Sequence, residues 1–285
     1  MRVLNVAVDP ALVPQWSAWL APAVQPFFVE SLRAWPKSVT AGEITPELRD
    51  TYRLWRIDKA LKTLWLDEPT FNDMARAQRA QLVRVQVVGS RGAVPTVRGW
   101  SDLIEPATLR TQADGHRFVW WPSLVTTNAS GIVRRYVGED RVPSRHREVT
   151  AATWKRAAAR LPHARALAGT FASGSGPNCF GTVVGAAGVA GAADQWLLQE
   201  PFEQWLIGAT SRGGDDRAPG TVLVWRDRGG LPIHAAVTLG DGWALEKPSQ
   251  EWSSPRTVVA VDDLVRWNRL RGVHLKRHTL TPSAS

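Results

Sequence analysis

Two alternating runs, Ile233-His234-Ala235-Ala236-Val237-Thr238-Leu239 and Trp243-Ala244-Leu245-Glu246-Lys247, are joined by Gly240-Asp241-Gly242. Period-two alternation marks a strand, and the Gly-Asp-Gly joint offers the positive-φ residues that a tight antiparallel turn requires. A chain with this pattern is committed to a hairpin with one face buried. Further strands are expected at 221–225 and 257–261, the latter ahead of a terminal helix. Before them stand a helix beginning near Cys179 and a second amphipathic segment over 196–207, despite Pro201. The order loop, helix, helix, strands gives an α+β class.

His234 lies at the head of its strand, where a core strand has no use for an ionisable group. If the hairpin is symmetric about Gly240, His234 and Glu246 are direct cross-strand neighbours on one face. A carboxylate there orients an imidazole and stabilises its charged form. A half-buried, satisfied histidine is the plainer reading. A cysteine acts as a nucleophile in its thiolate form, which a helix N-terminus and an adjacent imidazole favour. Cys179 stands where such a helix starts, although a lone cysteine is also a small buried hydrophobe. The preceding Gly174-Ser175-Gly176-Pro177-Asn178 leaves backbone N–H groups open for an oxyanion hole, with Asn178 and Ser175 as substrate or oxyanion candidates. Lys247-Pro248-Ser249-Gln250 follows Glu246 closely enough to reach the site, with Gln250 as an alternative polar third residue. Trp252 is a candidate for lining a substrate pocket.

Asn178-Cys179-Phe180-Gly181, then Gly220-Thr221-Val222-Leu223-Val224-Trp225, then the hairpin from His234 to Glu246, together resemble the NlpC-type cysteine peptidases and amidases of the papain-like clan. The resemblance covers residues 173–261. It implies a papain-like domain in which the helix bearing the nucleophile packs on a small antiparallel sheet bearing the histidine. Cysteine before histidine separates the chain from permuted relatives such as the lecithin:retinol acyltransferase-like proteins. Family members commonly carry aspartate where this chain has Asn178, and histidine, asparagine or glutamine where it has Glu246. The Cys179, His234, Glu246 set is similar instead to the cysteine-histidine amidohydrolase/peptidase relatives. The implied activity is hydrolysis or acyl transfer at an amide, peptide or ester carbonyl through an acyl-enzyme on Cys179, with His234 as base and Glu246 as orienting residue. The implied partner is a small-molecule, peptide or acyl substrate.

The first half reads helical. Thr45-Pro46 opens a helix along Leu48, Tyr52, Trp55, Leu61 and Trp65, and a second follows over 70–88, suggesting a helical hairpin. Residues 89–149, broken by prolines, are expected to be loops with a few strands. Thr150 caps a helix that Pro162 ends. A composition shift near 165 divides a mainly helical, Trp-rich region, 1–165, of unknown role and packed against the rest, from the NlpC-like domain, 166–285. Among the 15 tryptophans, Trp120-Trp121 and Trp252 are the expected exceptions to core packing.

Composition removes several classes. With 44 % apolar and 21 % charged residues the chain can form a core unaided. One cysteine excludes an internal disulfide, and no Cys/His cluster offers a zinc site. His116 and Ser144-Arg145-His146 lack carboxylate partners at metal spacing, so no metal or cofactor is expected. The net charge of +9 is scattered and densest over 266–277, a solvated face rather than a nucleic-acid surface. No apolar run spans a membrane, and the start has no signal-like core, so a cytoplasmic location is expected and Asn128-Ala129-Ser130 is no glycosylation site. The competing function is a non-catalytic binding protein that works through its Trp-rich half.

Overall fold

The fold is mixed α+β, and the computed structural model describes residues 1–111 and 116–281. These form two compact units, one of Met1 with Asp9–Glu139, the other of Arg2–Val8 with Asp140–Ser285. The division therefore falls after Glu139 rather than at 165. The composition shift marks a loop inside the second unit.

In the first unit, α1 (Leu12–Leu20) buries Trp16 and Leu20. Strands β1 (Val24–Val29) and β2 (Lys62–Asp67) form an antiparallel ribbon with Phe27 opposite Leu64. The expected helical hairpin is absent. The helix after Thr45 stops at Thr51, Arg53 turns the chain with φ 54°, and residues 62–67 run extended. Leu61 and Trp65 have helical spacing, but Thr63, Leu64 and Trp65 suit a pleated surface that covers Phe27 and Phe28. The second expected helix divides into Glu68–Asp73 and α2 (Arg76–Val88). The buried Gln86 side chain of α2 accepts from Phe28 N–H (2.8 Å) and donates to Phe28 O (3.1 Å), acting as a strand partner for the ribbon edge.

Residues 89–139 are mostly short helices where loops and strands were expected: Val97–Trp100, Pro106–Thr111, Pro122–Thr126 and α3 (Ala129–Gly138). Among the described residues here the only strand pairing is an isolated bridge between Thr96 and Arg117. Pro106 and Pro122, read as breakers, open two of these helices, and Thr96 and Asn128 cap the other two. Trp120 and Trp121 face opposite ways, but both are buried. Trp120 meets the Trp100 ring edge-on at 4.7 Å, and Trp121 lies 5.3 Å from Phe71.

The second unit holds α4 (Ala151–Ala158), α5 (Cys179–Ala186), α6 (Gln199–Ala209), β3 (Thr210–Arg212), β4 (Pro219–Arg226), β5 (Pro232–Gly240), β6 (Trp243–Glu246), β7 (Thr257–Ala260), α7 (Val261–Trp267) and β8 (His274–Leu280). One antiparallel sheet orders its strands β3-β8-β4-β5-β6-β7. Strands β3 and β8 escape sequence reading because their alternate positions are basic or hydroxylic rather than apolar. On one face, Val222, Val224, Ala235, Val237 and Leu245 pack with α5. On the other, Leu223, Trp225, Ala236 and Ala244 pack with Val261 and Leu264 of α7. All eight residues of α5 are buried, as its apolar, small-residue sequence requires.

The β5–β6 turn is the expected one, with Asp241 and Gly242 at φ 53° and 80°, the sign pattern of a type I′ turn. Asp241 is held by Thr153 Oγ1 (2.5 Å) and by Arg156 of α4. The turn is centred between Asp241 and Gly242 rather than on Gly240, and an irregularity at Leu239 takes back one residue of the resulting offset, so Glu246 faces Ala236 rather than His234. The shift is two residues, and the two side chains stay on one face.

The candidate active site

Asn178 starts the site. Its Oδ1 accepts the Gly181 N–H at 3.0 Å, the N-cap geometry that opens α5, and its Nδ2 donates to Leu197 O at 2.7 Å. Asn178, a substrate or oxyanion candidate in the sequence, is thus the helix cap, with the oxygen and the nitrogen of its amide each holding one protein partner. Cys179 follows as the first helical residue, 9 % exposed and free of any disulfide. The N–H groups of Cys179 and Phe180 belong to the first turn, where a helix has no acceptor of its own to offer.

His234 sits two residues beyond the last β5–β6 pair, where the β6 side of the ladder has ended. A second irregularity at Ile233 adjoins it, and Trp225 lies against its ring at 5.3 Å between centroids. Nε2 of His234 meets Glu246 Oε2 at 2.9 Å, with the two side chains 13 % and 6 % exposed. Glu246 thereby fixes the ring and leaves Nδ1 as the nitrogen for other work. Burial pulls the ring's pKa down, but hydrogen bonding and charge from Cys179 and Glu246 prevail and push it up to about 10. The structure thus brings Cys179, His234 and Glu246 within mutual influence.

The remaining candidates lie in two braced loops. Ser175 Oγ accepts the Trp252 N–H at 3.1 Å, and the Gly176 N–H donates to Gln250 O at 2.9 Å. Ser175 and Gln250 therefore tie the loop before α5 to the loop after β6, and it is Glu246, rather than its alternative Gln250, that hydrogen-bonds His234. Trp252 is 1 % exposed and belongs to the interior rather than to a pocket wall. Lys247 is fully buried, with Nζ donating to Ser249 O (2.6 Å) and Glu251 O (3.0 Å).

A cleft of about 580 Å³ opens beside His234 and Glu246, with Arg141, Ile233, Thr257 and Trp267 in its wall. Arg141 is paired with Glu251 at 2.8 Å, and Thr257 Oγ1 is buried without a hydrogen-bond partner. Sequence reasoning missed these residues because four separate segments supply them. The signal available was the half-exposed apolar pair Ile233 and Trp267, which alternation alone does not single out. Among the described residues no group of three His, Cys, Asp or Glu side chains is arranged to hold a metal ion, and no helix is long and apolar enough to cross a membrane. Compared with family models, curated proteins and solved structures, the chain matches none.

Proposed function

We propose that the second unit is a cysteine-dependent hydrolase or acyltransferase with an NlpC-type, papain-like architecture, acting on an amide, peptide or ester carbonyl. The observation that carries this reading is the His234–Glu246 hydrogen bond set beside a cysteine at the start of a buried helix. Cys179 attacks the carbonyl carbon as thiolate, and the developing oxyanion meets backbone N–H at the positive end of α5. The His234 imidazolium gives its proton to the leaving amine or alkoxide as the C–N or C–O bond breaks. Water or an amine then attacks the thioester, His234 takes its proton, and the Cys179 thiolate departs. Glu246 holds the ring in orientation through both steps. The cleft's wall includes His234 and Glu246 but not Cys179. The reading through a Trp-rich binding half loses the support of Trp120 and Trp121, since both are core residues.

The test is acylation by p-nitrophenyl acetate. The expected result is one acetyl group per chain, mapped by peptide mass to Cys179, with nitrophenol released in a burst and Cys179→Ala inert. Acetylation spread over lysines, or a Cys179→Ala protein that reacts within tenfold of wild type, overturns the reading.

A further inference from the structure

Lysine is almost never fully buried unless paired with an acid. Lys247 is 0 % exposed, and the hydrogen bonds of its ammonium go to two backbone carbonyls, Ser249 O and Glu251 O. It is the residue after Glu246, immediately past the end of β6. Cys179 acts on it electrostatically there, as do Arg256, Glu251 and Arg141. Its two carbonyl acceptors belong to the 248–252 loop, which Gln250 and Trp252 join to Gly176 and Ser175 just ahead of Cys179.

We propose that Lys247 is a positioning residue for Cys179: its ammonium adds a second positive charge, after His234, that favours the thiolate, while its carbonyl bonds fix the loop flanking the nucleophile. The inference rests on reading Cys179 as the nucleophile. Burial first, then the positive charge of Arg256, lowers the Lys247 pKa to about 7, with Glu251 and Cys179 opposing. The contribution is therefore present below neutral pH and fades above it, while His234, paired with Glu246, stays charged to about 10.

The experiment compares two alkylating reagents of similar size, anionic iodoacetate and neutral iodoacetamide, on the full chain with its single cysteine. Both react with thiolate, so their rate ratio reports the local potential rather than the thiolate fraction. Slightly below neutral pH the ratio in the folded wild type is expected to exceed that of the urea-unfolded chain. In Lys247→Gln, which keeps donors for the carbonyls, it should fall by about threefold or more, and Lys247→Arg should restore it. A loosened loop alone changes both rates together and leaves the ratio in place. Should Lys247→Gln fail to fold, the wild type decides: its ratio declines as pH rises through about 7, and a flat ratio overturns the proposal. An unchanged ratio in folded Lys247→Gln also overturns it, leaving the nucleophile reading intact. If wild-type Cys179 reacts with both reagents only at unfolded-chain rates, the reading of the site itself fails.

Discussion

His234 keeps its proton because two partners that prefer it charged outweigh the cost of burial. The sign for stability follows. A ring raised from 6.5 to about 10 contributes stability that is fully present below pH 6.5 and is lost as pH rises through about 10. By NMR the His234 ring is expected to titrate near 10, and Glu246→Gln, which retains an acceptor without the charge, should lower that midpoint by at least about one unit. A ring that titrates near 6.5 in both proteins contradicts the coupling. His234 and Glu246 were legible because each interrupts an apolar alternation. The role of Asn178 was not, since a polar residue before a cysteine reads equally well as a helix cap or as an oxyanion donor. The Gly181 N–H three residues later and Leu197 O decide for the cap. Nor was the burial of Lys247 legible, because its carbonyl acceptors depend on how the 248–252 loop folds back.

At the scale of elements, the position of Cys179 depends on how closely α5 approaches its neighbours. A Cβ at Gly181 would lie 2.5 Å from Ala192 O and 2.8 Å from Gln195 O, backbone atoms that cannot swing away as a side chain can. Gly181→Ala is therefore expected to destabilise by about 1–3 kcal/mol, read from the urea midpoint, and to slow acylation of Cys179 by displacing the helix start. An unchanged midpoint would show that the 192–195 turn yields without cost. The β5–β6 hairpin was legible as a turn but not in register, because the turn centres between Asp241 and Gly242 rather than on Gly240 and no sequence signal announced the irregularity at Leu239. The shared face survived because the offset is even. In the first unit, β2 was misread since Leu61 and Trp65 lie four apart. Only the burial of Leu64 and Leu66 against β1 decides for a strand.

The whole molecule places its single cysteine in a unit assembled from both ends of the described chain. Arg2–Val3 and Val6–Ala7 pair in that unit, where Leu4 O accepts the Ser144 N–H at 2.9 Å. This was not legible in the sequence, because a two-residue strand carries no periodicity and composition shifts track loops rather than contacts. If the fold creates the reactivity of Cys179, then single-turnover acylation by p-nitrophenyl acetate must distinguish the folded chain from the same chain in urea. The expected order of rates is wild type, then Glu246→Gln, then Glu246→Ala at least about tenfold below wild type, with His234→Ala close to the unfolded chain. A His234→Ala protein that acylates as fast as wild type, or a folded wild type no faster than its unfolded form, contradicts the assignment of Cys179, His234 and Glu246 as one catalytic set.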